Sequence, residues 1–519
     1  MAVQDLRYDS YYNFIWYSDN GPWSVRFTAW YTIGLLKRNQ GDDVLHGKAA
    51  LRNILACQYT EEFDSAWYGT FKLSPDRQST GLSTFSPLTA VQNLIQHLTL
   101  IYIRLKYIEF IGTTLVQAVE EFEHLLGEDL VSAIETSLTH AAIGGMRRNG
   151  TYPEDDNLIL GYSNPAYMRA VVVSWIGHRL NNSTFTDFAN LQGKLLLELF
   201  TWNNSNTLGE YNAPTYYGMD VWALSAAIKY APANSTIKST SEYVLTELWK
   251  DIAAHYNPYL KNMVGPYDRA YTRDMTTHSS ILSLWFWAIF GHSRGPQPPK
   301  GEADLLYDVA QGAQIALVAH TTSSYIPPAL IPWLTGNTYT DAPRFLNRTI
   351  KEDLSSSYVR VATSWLSGPL MIGAESIAET ANRGDQFVPA IVHWASDPAH
   401  EPAPYVGFFS LYPSASTVEA VAGERSLRIR YPNRTQEGTG VFTFAVSGVA
   451  PWWLLEGNRV EGLEKLPCLE VKVEAEGLER LPVTYGSQLR DHLFYNVSYV
   501  VPDGFEGVPE VGLEFEYTC

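Results

Sequence analysis

The hydrophobic pattern of this 519-residue chain changes its period once, and that change limits the folds open to it. Up to about residue 320, apolar side chains recur three and four positions apart. The segments 87–109, 112–140, 166–180, 187–200, 218–230, 240–255, 275–290 and 303–319 show this spacing, which predicts amphipathic helices. Beyond about residue 340 the runs shorten and alternate, as in SYVRVAT, SLRIRY, GVFTFAVSG, LEVKVEAEG, LFYNVSYVV and GLEFEY. Alternation punctuated by turn residues is the pattern of an antiparallel sandwich. Helices first and strands afterwards exclude an alternating α/β fold. The expectation is a multidomain chain, α then β, with a helical domain over 1–325 and an antiparallel β-sandwich over 340–519. PPALIPWLTGNTY (327–339) would join the two, and SRGPQPPKGE (293–302) reads as a loop between late helices.

The helical half contains a faint repeat. YSNPAYMRAVVVSWIG begins at Tyr162 and YNAPTYYGMDVWALSAAIKY at Tyr211, and each places Tyr, Asn, Pro and a second Tyr before an apolar helix. A third such helix follows GPYDRAYTRDMTTHSS (265–280). Repeated helical hairpins of this length stack into rings or solenoids. Closed into an (α/α) toroid, they would gather the loops that lead into the inner helices at one mouth.

Composition removes several classes of function. The 37 Lys and Arg against 55 Asp and Glu give a net charge of −18, so nucleic acid is not an expected partner, because phosphate binding needs a broad basic surface. No apolar stretch is long enough to span a membrane. Three cysteines in no CxxC spacing, and no HExxH, offer no metal motif, and neither metal nor cofactor is expected. Asn-X-Ser/Thr sequons begin at Asn181, Asn182, Asn203, Asn234, Asn347, Asn433 and Asn496, which favours a secreted glycoprotein. The first residues carry no basic n-region followed by an apolar core, so the chain reads either as a mature secreted form or as a cytosolic one. Cys468 and Cys519 both lie in the β half and are candidates to pair. A monomer is expected.

Chemistry-bearing residues concentrate in the loops. GEYNAPTYYGMD supplies Glu210, Tyr211, Asn212, Tyr216, Tyr217 and Asp220; PYDRAYTRDMTTH supplies Tyr267, Asp268, Arg269, Tyr271, Arg273, Asp274 and His278; GYSNPAY supplies Asn164 and Tyr167. Each loop taken alone is also explained by helix capping and packing. Arg147, Arg148 and Arg169 add positive charge upstream. A toroid followed by a sandwich, with Asn, Tyr, His and Arg in such loops, resembles the (α/α)-toroid polysaccharide lyases. It is most similar to the glucuronan and alginate lyase type.

That resemblance implies β-elimination on a uronic acid chain, with an acidic polysaccharide as partner. A proton beside a carboxylate is acidic only if donors hold the charge that develops. The resemblance assigns Asn164 as neutraliser, Glu210 as a protonated partner and Asn212 as a second donor. Tyr217 stands where a base would be, and Tyr271 or Tyr267 would be the acid or a shared acid–base. Arg269 would hold the carboxylate or lower a phenol's pKa by favouring phenolate. Arg273, Tyr216, His278 and Trp222 are candidate substrate contacts, although packing is the favoured reading of Tyr216 and Trp222 and an equal one for His278. Two alternatives remain: a glycoside hydrolase on the same toroid, using a carboxylate pair drawn from Glu210, Asp220, Asp268 and Asp274, and a non-catalytic carbohydrate-binding protein.

Overall fold

The computed structural model describes residues 1–17, 22–65, 67–75, 107–148, 150, 158–291, 294–296, 308–337, 342–378, 386–433, 440–489 and 492–519. These form two compact units. One comprises Met1–Thr201, Met219–Thr246 and Tyr307–Tyr325; the other comprises Trp202–Gly218, Glu247–Leu306 and Ile326–Cys519.

Helical hairpins build the first unit: α1 (Val25–Arg38) with α2 (Asp43–Ala56), α3 (Tyr107–Leu126) with α4 (Glu128–Arg147), and α5 (Ser163–Arg179) with α6 (Ser183–Phe200). The helix expected over 87–109 lies outside the described residues as far as 106. The 112–140 segment is two helices, because Gly127 takes a φ of 82° that a residue with a Cβ rarely adopts. In α6 the buried side chains form one stripe, Phe185, Ala189, Gln192, Gly193, Leu196, Leu199 and Phe200. In α5 every residue from Ser163 to Gly177 is buried. A helix buried all round belongs inside, and a one-striped helix outside. Gly177 lets the pair close up, since a Cβ there would lie 2.7 Å from that of Phe185.

The inner helices meet one another: α1 packs on α3, and α3 on α5. Ser163 at the start of α5 donates to Asp220 of α7 (Pro214–Tyr230) at 3.2 Å, and Ser225 of α7 pairs with Thr322 of α10 (Gly312–Ser323) at 2.6 Å. Since α10 packs on α1, the ring of inner helices closes, as a toroid requires. One detail differs from the sequence reading. Short strands at Tyr8–Asp9, Phe14–Trp16 and Trp23–Ser24 form a small antiparallel sheet ahead of α1.

The second unit is an antiparallel β-sandwich with loops laid on it. Its larger sheet contains β1 (Arg344–Ile350), β2 (Arg360–Leu366), β3 (Leu370–Ser376), β4 (Ala390–Asp397), β5 (Tyr405–Pro413), β8 (Val441–Ser447) and β13 (His492–Val500) in the order β13-β8-β5-β4-β3-β2-β1. The smaller sheet runs β6 (Glu419–Gly423), β7 (Ser426–Arg430), β14 (Glu510–Tyr517), β10 (Leu469–Glu474) and β9 (Lys465–Leu466). Two short strands, β11 (Glu479–Arg480) and β12 (Thr484–Leu489), border β13. Ile372, Val392, Trp394, Phe409 and Phe444 from one sheet meet Leu427, Ile429, Val471, Leu513 and Phe515 from the other. Cys468 and Cys519 are bonded, which ties the end of the chain to the start of β10.

Strands β3 and β4 are buried on both faces, which explains why they did not show the alternation seen in LEVKVEAEG or GLEFEY. Their inner faces fill the sandwich core. Their outer faces, with those of β2, are covered by segment 256–278 and by the 209–217 loop. Gly373 touches Gly265, Ser364 donates to the Gly265 carbonyl at 2.6 Å, and Ala362 packs on Tyr211. The loops named from sequence as chemical therefore rest on the back of a sheet.

Candidate active site

Each of these loops is held by a buried amide or by main-chain pairing. Asn212, at φ 46°, donates its side-chain amide to the carbonyls of Val264 at 2.7 Å and Pro266 at 2.8 Å, so it joins the two loops. Its amide thus serves as a strut, whatever else its buried carbonyl oxygen does. The first turn of α7 is packed tightly against the start of α9 (Ile281–Phe290): Trp285 donates to the Gly218 carbonyl at 2.7 Å. That turn carries Tyr216 and Tyr217.

One cluster reaches solvent. Tyr216 and Tyr271 share a hydrogen bond between their hydroxyls, with rings 5.6 Å apart and edge to face. Beside them Arg269, with 32% of its side chain exposed, lies 3.9 Å from the Glu210 carboxylate and donates to Gln386 at 3.3 Å. Burial alone would lower the Arg269 guanidinium; the facing Tyr216, Glu210, Tyr271 and Asp268 raise it instead, so it stays charged. Burial raises the Tyr271 phenol well above its ordinary range, and Tyr216 adds to this, while Arg269 only partly offsets it. Tyr271 is half-buried, so its ring is partly open to water. The expectation that Arg269 would pull a phenol below its usual pKa is therefore corrected: desolvation outweighs one guanidinium. Exposed Arg273 stands over the ring of Tyr412, 4.6 Å from its centre.

A second cluster is sealed. Tyr217 is fully buried, and its hydroxyl donates to Asp251 at 3.3 Å. Arg348 donates to the other oxygen of Asp251 at 3.1 Å. His255, also without exposure, meets the Tyr211 hydroxyl at 2.6 Å and the Asp251 carbonyl at 2.8 Å. Burial depresses the His255 imidazole and pushes the Tyr211 phenol up. The phenol of Tyr217 thus faces this buried carboxylate.

Tyr267 and His278 are buried as well. The Tyr267 hydroxyl donates to the Met263 carbonyl at 2.5 Å, and its ring meets that of His278 at a 48° tilt with centroids 4.2 Å apart. His278 precedes α9 and is not inside a helix as the sequence suggested; the backbone breaks at Ser280, with φ 39°. Its Nδ1 and the Nε2 of His393 on β4 both meet the Met275 carbonyl, at 3.0 and 3.1 Å. Burial lowers these imidazoles to about 4 and about 3. His393, Arg348, Arg360 and Gln386 were not anticipated, because all four come from the strand-rich half.

Asn164, Trp222 and Asp220 belong to the first unit. Asn164 and Trp222 are fully buried, on α5 and α7. Burial pushes the carboxyl of Asp220, bonded by Ser163, well above the usual carboxylate range. Two arginines expected to supply positive charge at the mouth are buried instead: Arg148 pairs with Glu109 at 3.3 Å, and Arg169 donates to Gln192 at 2.6 Å. No group of three His, Cys, Asp or Glu suited to a metal occurs among the described residues. No helix among them is long and apolar enough to cross a membrane.

Comparison with known proteins gives a family but not an activity. No curated protein matches the chain. Heparinase III superposes with a TM-score of 0.42 at 8% identity, over 95% of this chain and 77% of that one. A second heparinase III, with methylated lysines, gives 0.31 at 8% identity over the same shares. Likenesses this loose decide nothing about the site. A domain of unknown function (DUF8770) matches residues 342–516. Another (DUF8769) matches residues 1–320, more than half of the sequence, and the chain belongs to that family.

Proposed function

We propose that the protein is a polysaccharide lyase that cleaves a uronic-acid-containing chain by β-elimination, and that the Tyr216–Tyr271–Arg269–Glu210 cluster carries the reaction. One observation bears most of the weight: two bonded phenols stand beside a charged guanidinium whose side chain is 32% exposed and 3.9 Å from the Glu210 carboxylate. Arg269 can receive the substrate carboxylate through its planar fork, which suits bidentate recognition. Held there, the carboxylate accepts charge as the C5 proton leaves. A phenolate of the pair takes that proton, and the proton returns to the C4 oxygen as the glycosidic bond breaks, leaving a double bond between C4 and C5. Glu210 limits the net charge, so that Arg269 does not hold the product too tightly.

The hydrolase alternative needs two carboxylates flanking the bond. Asp268 is bonded to Arg360 at 3.3 Å, and Asp274 accepts from Thr277 at 2.9 Å and from the Thr276 backbone at 2.9 Å. Both are engaged in holding loops, which favours elimination over hydrolysis. Secretion is part of the same reading. It is supported by the Cys468–Cys519 bond, of a kind rare in reducing compartments, and by the exposure of Asn181, Asn203, Asn234, Asn347 and Asn433. The test is a panel of uronate polymers (glucuronan, alginate, pectate and glycosaminoglycans) followed by the ultraviolet absorbance of the unsaturated product. New reducing ends without that absorbance would favour hydrolysis. No product from any polymer would end the enzymatic reading.

A further inference from the structure

The loop that carries Arg269 and Tyr271 comes from the helical part of the sequence but is fastened to the strands. We infer that Arg360 is a positioning residue, a sandwich-borne guanidinium that fixes where Arg269, Tyr271 and Glu210 stand. The sandwich is then part of the site's machinery and not a separate sugar-binding module. The catalytic consequence of Arg360 rests on the elimination reading; the clamp itself does not.

Arg360 opens β2 and is 1% exposed. Its Nη1 donates to Asp268 at 3.3 Å and to Glu375, and its Nη2 to the Gly209 carbonyl and to Glu352 at 2.7 Å. Asp268 immediately precedes Arg269, and Gly209 immediately precedes Glu210. A single rigid fork therefore grips the neighbours of both charged members of the solvent-facing cluster. The Asp268 N–H donates to the Tyr211 carbonyl at 3.2 Å, which closes the triangle. Alongside, the loop pairs with the chain after β3: Tyr267 and Val388 exchange main-chain bonds of 3.1 and 3.0 Å, and the Ala270 N–H donates to Gln386 at 2.7 Å.

Stability alone is a poor reason for this arrangement. Asp268 and Glu375 are both fully buried, and buried ion pairs are often no more stabilising than apolar side chains of the same volume. What the ionic set supplies, and an apolar one would not, is direction: a planar donor with fixed angles to two separate loops. Lysine keeps the charge but replaces the fork with a single point.

The test uses the full chain with Arg360→Lys, and Arg428→Lys as control, because Arg428 sits on an exposed pair with Glu510. Amide hydrogen exchange should speed up about tenfold or more at 208–212 and 266–272 in the Arg360 variant, with β4, β5 and β8 unchanged. On the uronate polymer cleaved fastest, its kcat should fall about tenfold or more while KM changes little, because misplaced groups cost rate before they cost binding. Should Arg360→Lys not fold, Glu352→Gln, which touches only the partly exposed partner, should still loosen 208–212. Unchanged exchange in both loops, or loosening spread evenly through the sandwich, overturns the inference. Exchange is read without turnover, so a wild type that releases no unsaturated product defeats the lyase reading and leaves exchange to decide the clamp.

Discussion

Two neighbouring clusters in the second unit are made from the same kinds of group and differ in what encloses them. Tyr216, Tyr271, Arg269 and Glu210 combine phenols, a guanidinium and a carboxylate, with Arg269 and Tyr271 reaching water. Tyr217, Tyr211, Arg348, Asp251 and His255 combine the same groups with an imidazole, but the phenols and the imidazole are wholly buried. In the sealed cluster Asp251 accepts from both Tyr217 and Arg348, so the charge is already answered. In the open cluster Arg269 and Glu210 are 3.9 Å apart, a looser pairing, and in the proposed reaction that guanidinium takes the substrate carboxylate. Residue type alone does not separate a reactive set from a structural one. Enclosure and prior commitment do.

The largest expected effect separates the clusters directly. Arg269→Ala and Tyr271→Phe should each lower turnover by about a hundredfold or more, the usual scale for charge-stabilising and acid–base groups. Tyr217→Phe should leave turnover within about threefold and instead cost about 1–3 kcal/mol, because it takes a donor from buried Asp251. Steady-state rates alongside denaturant melts check both, and a Tyr217→Phe enzyme that folds well but is inactive would merge the two clusters.

Next comes pH. The Tyr271 phenol is raised, so the phenolate is scarce at neutral pH and its fraction grows tenfold per pH unit below its pKa. kcat/KM should climb steadily on the alkaline side, and a profile that is flat or falling above neutrality would remove the phenol from the role of base.

Smaller still is the acid sensitivity of the sealed interior. His278 and His393 are neutral in the fold, at about 4 and about 3, against an unfolded value near 6.5. The unfolded chain binds more protons between those values, so stability should be full above about pH 6.5 and decline as pH falls toward 4, by on the order of a few kcal/mol. His278→Gln should flatten that decline in melts taken across the window; an unchanged slope would place the acid sensitivity elsewhere.

Much of the fold was legible because period survives wherever one face of an element is wet. The helices of the outer ring and strands such as β7, β10 and β14 showed it. SYVRVAT misleads, since alternation would bury Val361 and expose Arg360, whereas Val361 is 42% exposed and Arg360 1%. The loops lying on the back of the larger sheet reverse its faces, and no local pattern records that they are there. For the site, the loop sequences named Glu210, Tyr216, Arg269 and Tyr271, because phenols and charges crowd there. They put the base at Tyr217 and left Tyr216 to packing or substrate contact, the reverse of the proposed roles, because what separates these neighbours is set by Asp251 and Arg348, far along the chain. His393 and Arg360 lay inside apolar strands, where a lone buried His or Arg was the only available sign.

The most direct measurement is the ultraviolet absorbance of unsaturated product on the best uronate polymer, taken in parallel for wild type, Tyr271→Phe and Tyr217→Phe, with circular dichroism confirming the fold of each. The account predicts strong absorbance from wild type and Tyr217→Phe and almost none from Tyr271→Phe. Absorbance retained by Tyr271→Phe, or reducing ends released without absorbance and abolished by Glu210→Gln, would contradict it.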